Sequence, residues 1–389
     1  MKLFEYQGKE VFARAGIPVP ESRLVTCAER EHDRIAAEAA EAAHELGGRE
    51  RQTVVVKAQL DMGGRGKAGL IRMAADQGEA AAVSREILAK GYRIPALLVE
   101  RAVNIERELY LSLSVDPQRA CFVFLASAEG GVDIESLARE RPDAIRRVSI
   151  DPFRGLQAFQ GRALAYDLGL RDSAIGSFTA LVNALYAVFR NSDAELAEIN
   201  PLFLTADGEL IAGDSKLIID DNSLYRQSGF ELTREQFDSD IAYAAALDGI
   251  PYVQFDGEIS LMCAGAGLAT TVFDLVNFGG GSVANYLEFG GPNYHKAQRA
   301  MELCLRNRSA VILIVTFGTI ARADVMAQGI VDAIAALKPD RPVVTCIRGT
   351  NEERAHETLR SAGLEPLLDT EEAVRRAIDL AAQNRGRTS

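Results

Sequence analysis

Lys57 lies in the β-branched run Thr53-Val54-Val55-Val56-Lys57-Ala58, and the basic glycine segment Gly63-Gly64-Arg65-Gly66-Lys67-Ala68-Gly69 follows it. Glycines let a backbone approach phosphate oxygens closely, while Arg65 and the lysines supply positive charge. The segment is not a Walker A loop, because G-x-x-x-x-G-K-[ST] is absent. From the residues alone it is either a plain turn or a phosphate cradle. Glu198-x-Asn200 and Asp214 stand on either side of Ala206-Asp207-Gly208, whose Asp-Gly step predicts a hairpin. Antiparallel pairing would then set Asn200 beside Asp214 as oxygen ligands of the kind Mg²⁺ takes together with water and phosphate. The plainer alternative is two polar residues finishing two strands. Glu100 and Glu108 flank a strand-to-strand crossover, and each alone reads as a solvated carboxylate. In the second half, Gly265-Ala266-Gly267 opens a helix reaching Asn277. Its free N–H groups and positive dipole end suit an anion, although a tight packing turn would look the same.

These residues need elements to hold them. Strands are predicted at Thr53 to Ala58, Ala96 to Val99, Leu109 to Val115 and Cys121 to Leu125. Leu196 to Asn200 and Glu209 to Asp214 form the arms of the hairpin, and Ala163 to Leu168 and Phe178 to Phe189 carry helical spacing. From about Asp221 to Phe255 the chain turns polar, with an amphipathic helix expected at Arg234 to Ala246, and this segment reads as an interdomain connection. Beyond it the pattern is regular. Strands are expected at Ile259 to Cys263, Ser282 to Leu287, Ala310 to Thr316, Pro342 to Ile347 and Pro366 to Leu368, with helices between them. Such βαβα alternation predicts a parallel sheet with ligands at the carboxyl ends of its strands. The expected division is residues 1–240 and 241–389.

A chain of 389 residues is too long for one ordinary core, which agrees with two domains. Its net charge of −12 disfavours a broad nucleic-acid surface, and no stretch approaches the ~20 apolar residues that span a bilayer. Five cysteines are scattered without C-x-x-C spacing, and the first ten residues are charged rather than apolar. The expectation is a cytoplasmic protein with reduced thiols, no nucleic-acid partner and no membrane partner.

Several motifs occur in order: Phe4-Glu5-Tyr6-Gln7-x-Lys9, then GGRGKAG, E-L-Y-L from Glu108 and E-G-G-V-x-I-E from Glu129. Q-G-R from Gln160, E-I-N-P-L from Glu198 and G-A-G-L-A from Gly265 follow. Together they resemble the β subunit of succinate–CoA ligase and its relative malate–CoA ligase over nearly the whole chain. The resemblance implies an α/β chain with an ATP-grasp domain followed by a flavodoxin-like, parallel-sheet CoA-ligase domain. It implies that Lys57 and Gly64-Arg65-Gly66 contact the phosphates of ATP or GTP. Glu100, the backbone at Val103, and Glu108 would hold base and ribose, and Asn200 and Asp214 would bind Mg²⁺. Glu198 would steady a phosphorylated histidine visiting from an α-like partner, which would also carry the CoA site. None of His32, His44, His295 and His356 sits in the family's G-H-A-G setting, so the chain reads as half an enzyme.

The pattern breaks where the relatives bind a small carboxylic acid. Ala264 stands where the family has asparagine, Gly290-Gly291-Pro292-Asn293-Tyr294 replaces G-G-G-A-T, and Gly318-Thr319-Ile320-Ala321 replaces G-G-I-V. By carry-over, Ala264, Gly265, Gly267, Thr319, Ile320 and Ala321 would line the acid pocket. Thr319, Asn293, Tyr294 and His295 are candidate replacements for the lost amide. The expected activity is therefore an NDP-forming carboxylate–CoA ligase acting on an acid other than succinate, with the nucleotide phosphorylating the partner's histidine. Two other readings stay open from sequence: succinate itself with a rearranged pocket, and a regulatory paralogue without acid turnover.

Overall fold

The computed structural model describes residues 1–27, 31–47, 53–290, 295–318 and 321–388. The chain forms two compact units, Met1–Glu231 and Leu232–Ser389.

The first unit opens with α1 (Glu5–Arg14), followed by β1 (Ser22–Thr26), α2 (His32–Gly47), β2 (Val54–Gln59), β3 (Ile71–Ala74), α3 (Gln77–Leu88) and β4 (Ala96–Arg101). The four strands form an antiparallel sheet in the order β1-β4-β2-β3. The alanine-rich α2 buries Ile35, Ala39, Ala43 and Leu46 at helical spacing against it. Next come β5 (Arg107–Asp116), β6 (Cys121–Ser127), α4 (Ile134–Glu140), β7 (Ile145–Ile150), α5 (Ala158–Asp167), α6 (Ser173–Asn191), β8 (Ala194–Leu204), β9 (Leu210–Ala212) and β10 (Lys216–Ile219). They make a second antiparallel sheet, β10-β8-β5-β6-β7, with β9 paired to β8. On α6, Phe178, Leu181, Val182, Leu185 and Phe189 face its core. The β8–β9 hairpin turns at Ala206-Asp207-Gly208, where Gly208 has φ +83°, and Leu202 pairs with Ala212.

The second unit contains α7 (Asp240–Leu247), β11 (Tyr252–Gln254), β12 (Ile259–Ala264), α8 (Ala266–Phe278), β13 (Val283–Leu287) and α9 (Ala297–Leu305). It continues with β14 (Val311–Gly318), α10 (Ala323–Leu337), β15 (Val343–Gly349), α11 (Glu352–Ser361) and α12 (Thr370–Thr388). The sheet order is β11-β13-β12-β14-β15, parallel except for β11. Residues of α8 and α12 cover one face and residues of α9, α10 and α11 the other. That explains the apolar run at residues 311–315 of β14, buried on both faces.

Two expectations change. The helix expected at Arg234 to Ala246 begins only at Asp240, where Ser239 Oγ accepts from the Ala242 N–H at 3.0 Å. Arg234–Gln236 is a separate single turn, and extended Phe237 interrupts the run. Pro366 to Leu368 contributes an isolated bridge to Thr345 rather than a strand, because Pro366 has no N–H to donate to a ladder.

Candidate functional site

The N-terminal motif is explained by α1. Gln7 Oε1 accepts from the Phe4 N–H at 2.9 Å and Gln59 Oε1 from the Tyr6 N–H at 3.0 Å, so the helix start is capped from within and from β2. Ser215 Oγ donates to the Glu5 carbonyl at 2.8 Å, and a Cβ on Gly8 would overlap that hydroxyl. One turn apart on α1, Glu5 and Lys9 pair at 2.8 Å.

Around them lies a buried ionic cluster. The Glu5 carboxylate receives Lys57 Nζ at 2.8 Å and an Arg65 nitrogen at 2.7 Å. Both Lys9 and Lys57 pair with Glu100 and donate to the Gly213 carbonyl, at 2.9 and 2.7 Å. Arg65 donates to the Ala58 carbonyl and to Asp214 Oδ2, each at 2.9 Å. Glu5, Lys9, Lys57, Arg65 and Glu100 are all buried, and the Asp214 side chain is 28% exposed. Lys9, Lys57 and Arg65 balance Glu5, Glu100 and Asp214, so the fully ionised cluster is neutral. Burial pushes the Glu5 carboxyl up, but Lys57, Lys9 and Arg65 override it and hold the group well below its usual range. Burial and the neighbouring Glu5 charge instead raise Asp214, against the pull of Arg65 and Lys57.

In front of the cluster opens a cavity of about 590 Å³. Gly63 to Lys67 line one side, Glu198, Asn200 and Asp214 another, and Gly131 to Glu135 a third. Of the residues singled out from sequence, Gly64, Arg65, Gly66, Glu198, Asn200 and Asp214 thus meet at one cavity. Lys57 and Glu100 stand behind it in the cluster. Val103 and Glu108 lie at the β4–β5 crossover and do not line it. Arg65 turns its guanidinium inward, which leaves the exposed backbone of Gly64, with φ +72°, and Gly66 facing outward. Glu198 accepts from the Tyr110 hydroxyl at 2.9 Å, and burial together with that carboxylate raises the phenol's pKa. Asn200 Oδ1 accepts from the Gly131 N–H at 2.8 Å, and its amide donates to the Val132 carbonyl at 3.0 Å. Glu5, Lys9 and Gln59 were not singled out as site residues from sequence. The Glu5-x₃-Lys9 spacing and the Lys57-x-Gln59 alternation were the available signals.

In the second unit, Ala264 ends β12 and Gly265, with φ +114°, precedes α8. Glu288 Oε1 accepts from the N–H groups of both Gly265 and Gly290 at 2.9 Å, so the first N–H of this turn is already taken by a carboxylate. Gly267 is exposed and Ala321 half-buried. Thr319 and Ile320, like Gly291 to Tyr294, lie outside the described residues. His295 lines a separate cavity of about 450 Å³ with Arg322, Asp324 and Arg354. His356 is a core residue bonded to the Ile347 carbonyl at 2.9 Å, whereas His32 and His44 are exposed on α2.

An ATP-grasp domain family matches residues 2–204 and a CoA-ligase family residues 262–380. The ADP-forming sulfoacetate–CoA ligase subunit SauC of Bilophila wadsworthia is 54% identical over 98% of this chain and 99% of its own. The subunit SqwK of the same named activity from Acholeplasma is 50% identical, covering 98% and 92%. The ADP-forming succinate–CoA ligase β subunit of Ignicoccus hospitalis is 39% identical, covering 98% and 99%. This chain belongs to the succinate–CoA ligase β-subunit family. A solved structure of ATP citrate lyase from Methanothrix soehngenii shares the fold, with TM-score 0.74 and 19% identity over 97% of this chain and 99% of that one.

The donor set of this CoA-ligase subunit suits Mg²⁺. Asn200 Oδ1 and Asp214 are hard oxygen donors on one cavity wall, and a carbonyl oxygen with one N–H bond keeps a second lone pair. Burial and the neighbouring Glu5 charge disfavour the ionised form of Asp214, and a bound divalent cation would favour it.

Proposed function

We propose that this subunit binds Mg²⁺–ATP in the first unit's cavity and, with an α-like partner, forms the CoA thioester of a small sulfonated carboxylic acid, sulfoacetate in the first instance. The nucleotide site is carried by one observation: the glycine loop, Glu198, Asn200 and Asp214 converge on a single cavity backed by a charge-balanced cluster. For the acid, support comes from Ala264 in place of asparagine and from two relatives, 54% and 50% identical, whose names give sulfoacetate.

In this reading the γ-phosphoryl group passes to a nitrogen of the partner's histidine, releasing ADP. The histidine then gives it to the acid's carboxylate oxygen, and the CoA thiol displaces phosphate to leave the thioester. Backbone N–H groups of Gly64 to Gly66 hold phosphate oxygens, and Glu198 steadies the visiting histidine. Asn200 and Asp214 would hold Mg²⁺, which offsets phosphate charge when bound. The cluster behind them fixes Lys57 and Arg65, so the site is electrostatically ordered before nucleotide arrives. Val103 and Glu108 are assigned to base and ribose at the crossover, and Gly265 and Gly267 to the acid end. Five free cysteines suit the cytoplasm. The test is kcat/KM of the reconstituted enzyme for sulfoacetate, succinate, malate and methylsuccinate at saturating nucleotide. Sulfoacetate should lead, and a wide margin for succinate would refute the assignment.

A further inference from the structure

Thr316 is the one buried side chain among the described residues whose polar atom has no hydrogen-bond partner. It is 1% exposed on β14, in register with Ala264 on β12 and Ile347 on β15. Ala264 and Met262 belong to the core facing α9 and α10, as do Ile312 and Ile314. Strand alternation therefore places Thr316 on the same face as Ala264. Both stand near the carboxyl ends of adjacent parallel strands, the edge where open α/β sheets bind ligands. A buried hydroxyl without a partner is costly, and a native fold keeps one where something else completes it.

Among the described residues, two backbone donors at this end of the sheet are committed. The Gly265 and Gly290 N–H groups both go to Glu288, and Gly290 lies so close that a Cβ there would come within 3.2 Å of Ala264 Cα. Ala264 contributes only a methyl group and therefore no donor. A sulfonate is tetrahedral and presents three acceptor oxygens, so it needs more width than a planar carboxylate and at least one donor. We propose that the Thr316 hydroxyl, beside the small Ala264, donates to the distal sulfonate of the acid and is a specificity-determining residue of this subunit. The proposal rests on the sulfonated-acid reading above.

The test uses the assembled enzyme with its α-like partner, comparing wild type, Thr316→Val and Thr316→Ser. Valine keeps the shape and removes only the hydroxyl. Its kcat/KM for sulfoacetate should fall on the order of ten-fold, as for one lost hydrogen bond to a charged group. Thr316→Ser should stay within a few-fold of wild type. Phosphorylation of the partner by ATP should not change in either variant. The melting temperature of Thr316→Val without substrate should hold or rise, because an unsatisfied hydroxyl has been removed. Unchanged kcat/KM for both acids in Thr316→Val, or a drop of several degrees in its melting temperature, overturns the proposal. The second outcome would mean that the hydroxyl is satisfied structurally. If wild type prefers succinate, the sulfonate reading falls. A loss on succinate in Thr316→Val would then still uphold the hydroxyl's contact with the acid.

Discussion

Glu5 reaches Lys9, Lys57 and Arg65 at once, so a single carboxylate near the N-terminus fixes two of the cations expected at the nucleotide. Removing it would leave three buried cations facing two carboxylates. Glu5→Gln should destabilise the first unit by about 3 kcal/mol, the usual cost of stranding a buried charge, as read by urea unfolding. The pH dependence follows from the sign of its shift. Glu5 has a native pKa below its unfolded value, so its contribution is present above the unfolded value and is lost as pH falls through the native one. The stability gap between wild type and Glu5→Gln should therefore shrink on acidification. A gap independent of pH would remove Glu5 from the cluster's energetics. Asp214 has the opposite sign. Its native pKa is raised, so it favours the fold at low pH and that share is lost as pH rises through the native value. Asp214→Ala should then cost little stability at neutral pH, since Arg65 keeps Glu5 and the Ala58 carbonyl. It should nevertheless abolish Mg²⁺–ATP binding by calorimetry, and unchanged affinity would take Asp214 out of the metal site.

The loop after β6 connects the two candidate metal and ribose regions through backbone alone. The Gly130 N–H donates to the Glu108 carbonyl at 2.8 Å, and the next N–H, from Gly131, goes to Asn200. A Cβ on Gly130 would overlap the Leu109 backbone, which cannot move aside as a side-chain tip can. Gly130→Ala should cost about 1–3 kcal/mol through overpacking and release Asn200 from this loop. Calorimetry should show weakened Mg²⁺–ATP binding with the second unit's unfolding unaltered. Wild-type affinity would mean the loop does not position Asn200. Elements of this kind were only partly legible. β2, β4, β5, β6, β8 and the parallel strands β12 to β15 could be read because their apolar residues recur at strand spacing or run unbroken. β1, β3 and β7 were not read, since half or more of their residues are exposed and leave no alternation to find. The helix expected from Arg234 failed for a different reason: its apolar spacing was right, but the Ser239 cap that sets its start was overlooked.

At the scale of the chain, both architectures were legible, because ordered motifs and a βαβα rhythm extend over the sequence. The ionic cluster was not, because Glu5, Lys57, Glu100 and Asp214 are brought together by four separate segments and each alone looks like an ordinary charge. The proposed division of labour between subunits rests on where the histidines are. None of the four lines the first unit's cavity: two are exposed on α2, one is bonded in the core, and His295 belongs to the second unit. In the proposed reaction the acceptor is a histidine nitrogen in line with the γ-phosphate, and Glu198, Asn200 and Asp214 have other roles there. The chain by itself should therefore bind Mg²⁺–ATP with calorimetric affinity close to that of the assembled enzyme. Mixed with ATP, CoA and sulfoacetate, it should give neither an acid-labile phosphoprotein nor a thioester. Adding the α-like partner should restore both, with the label from γ-³²P-ATP appearing on the partner alone. Label on this chain, or thioester formed without the partner, would show that the acceptor lies among its own residues, and His295 would then be the first to replace.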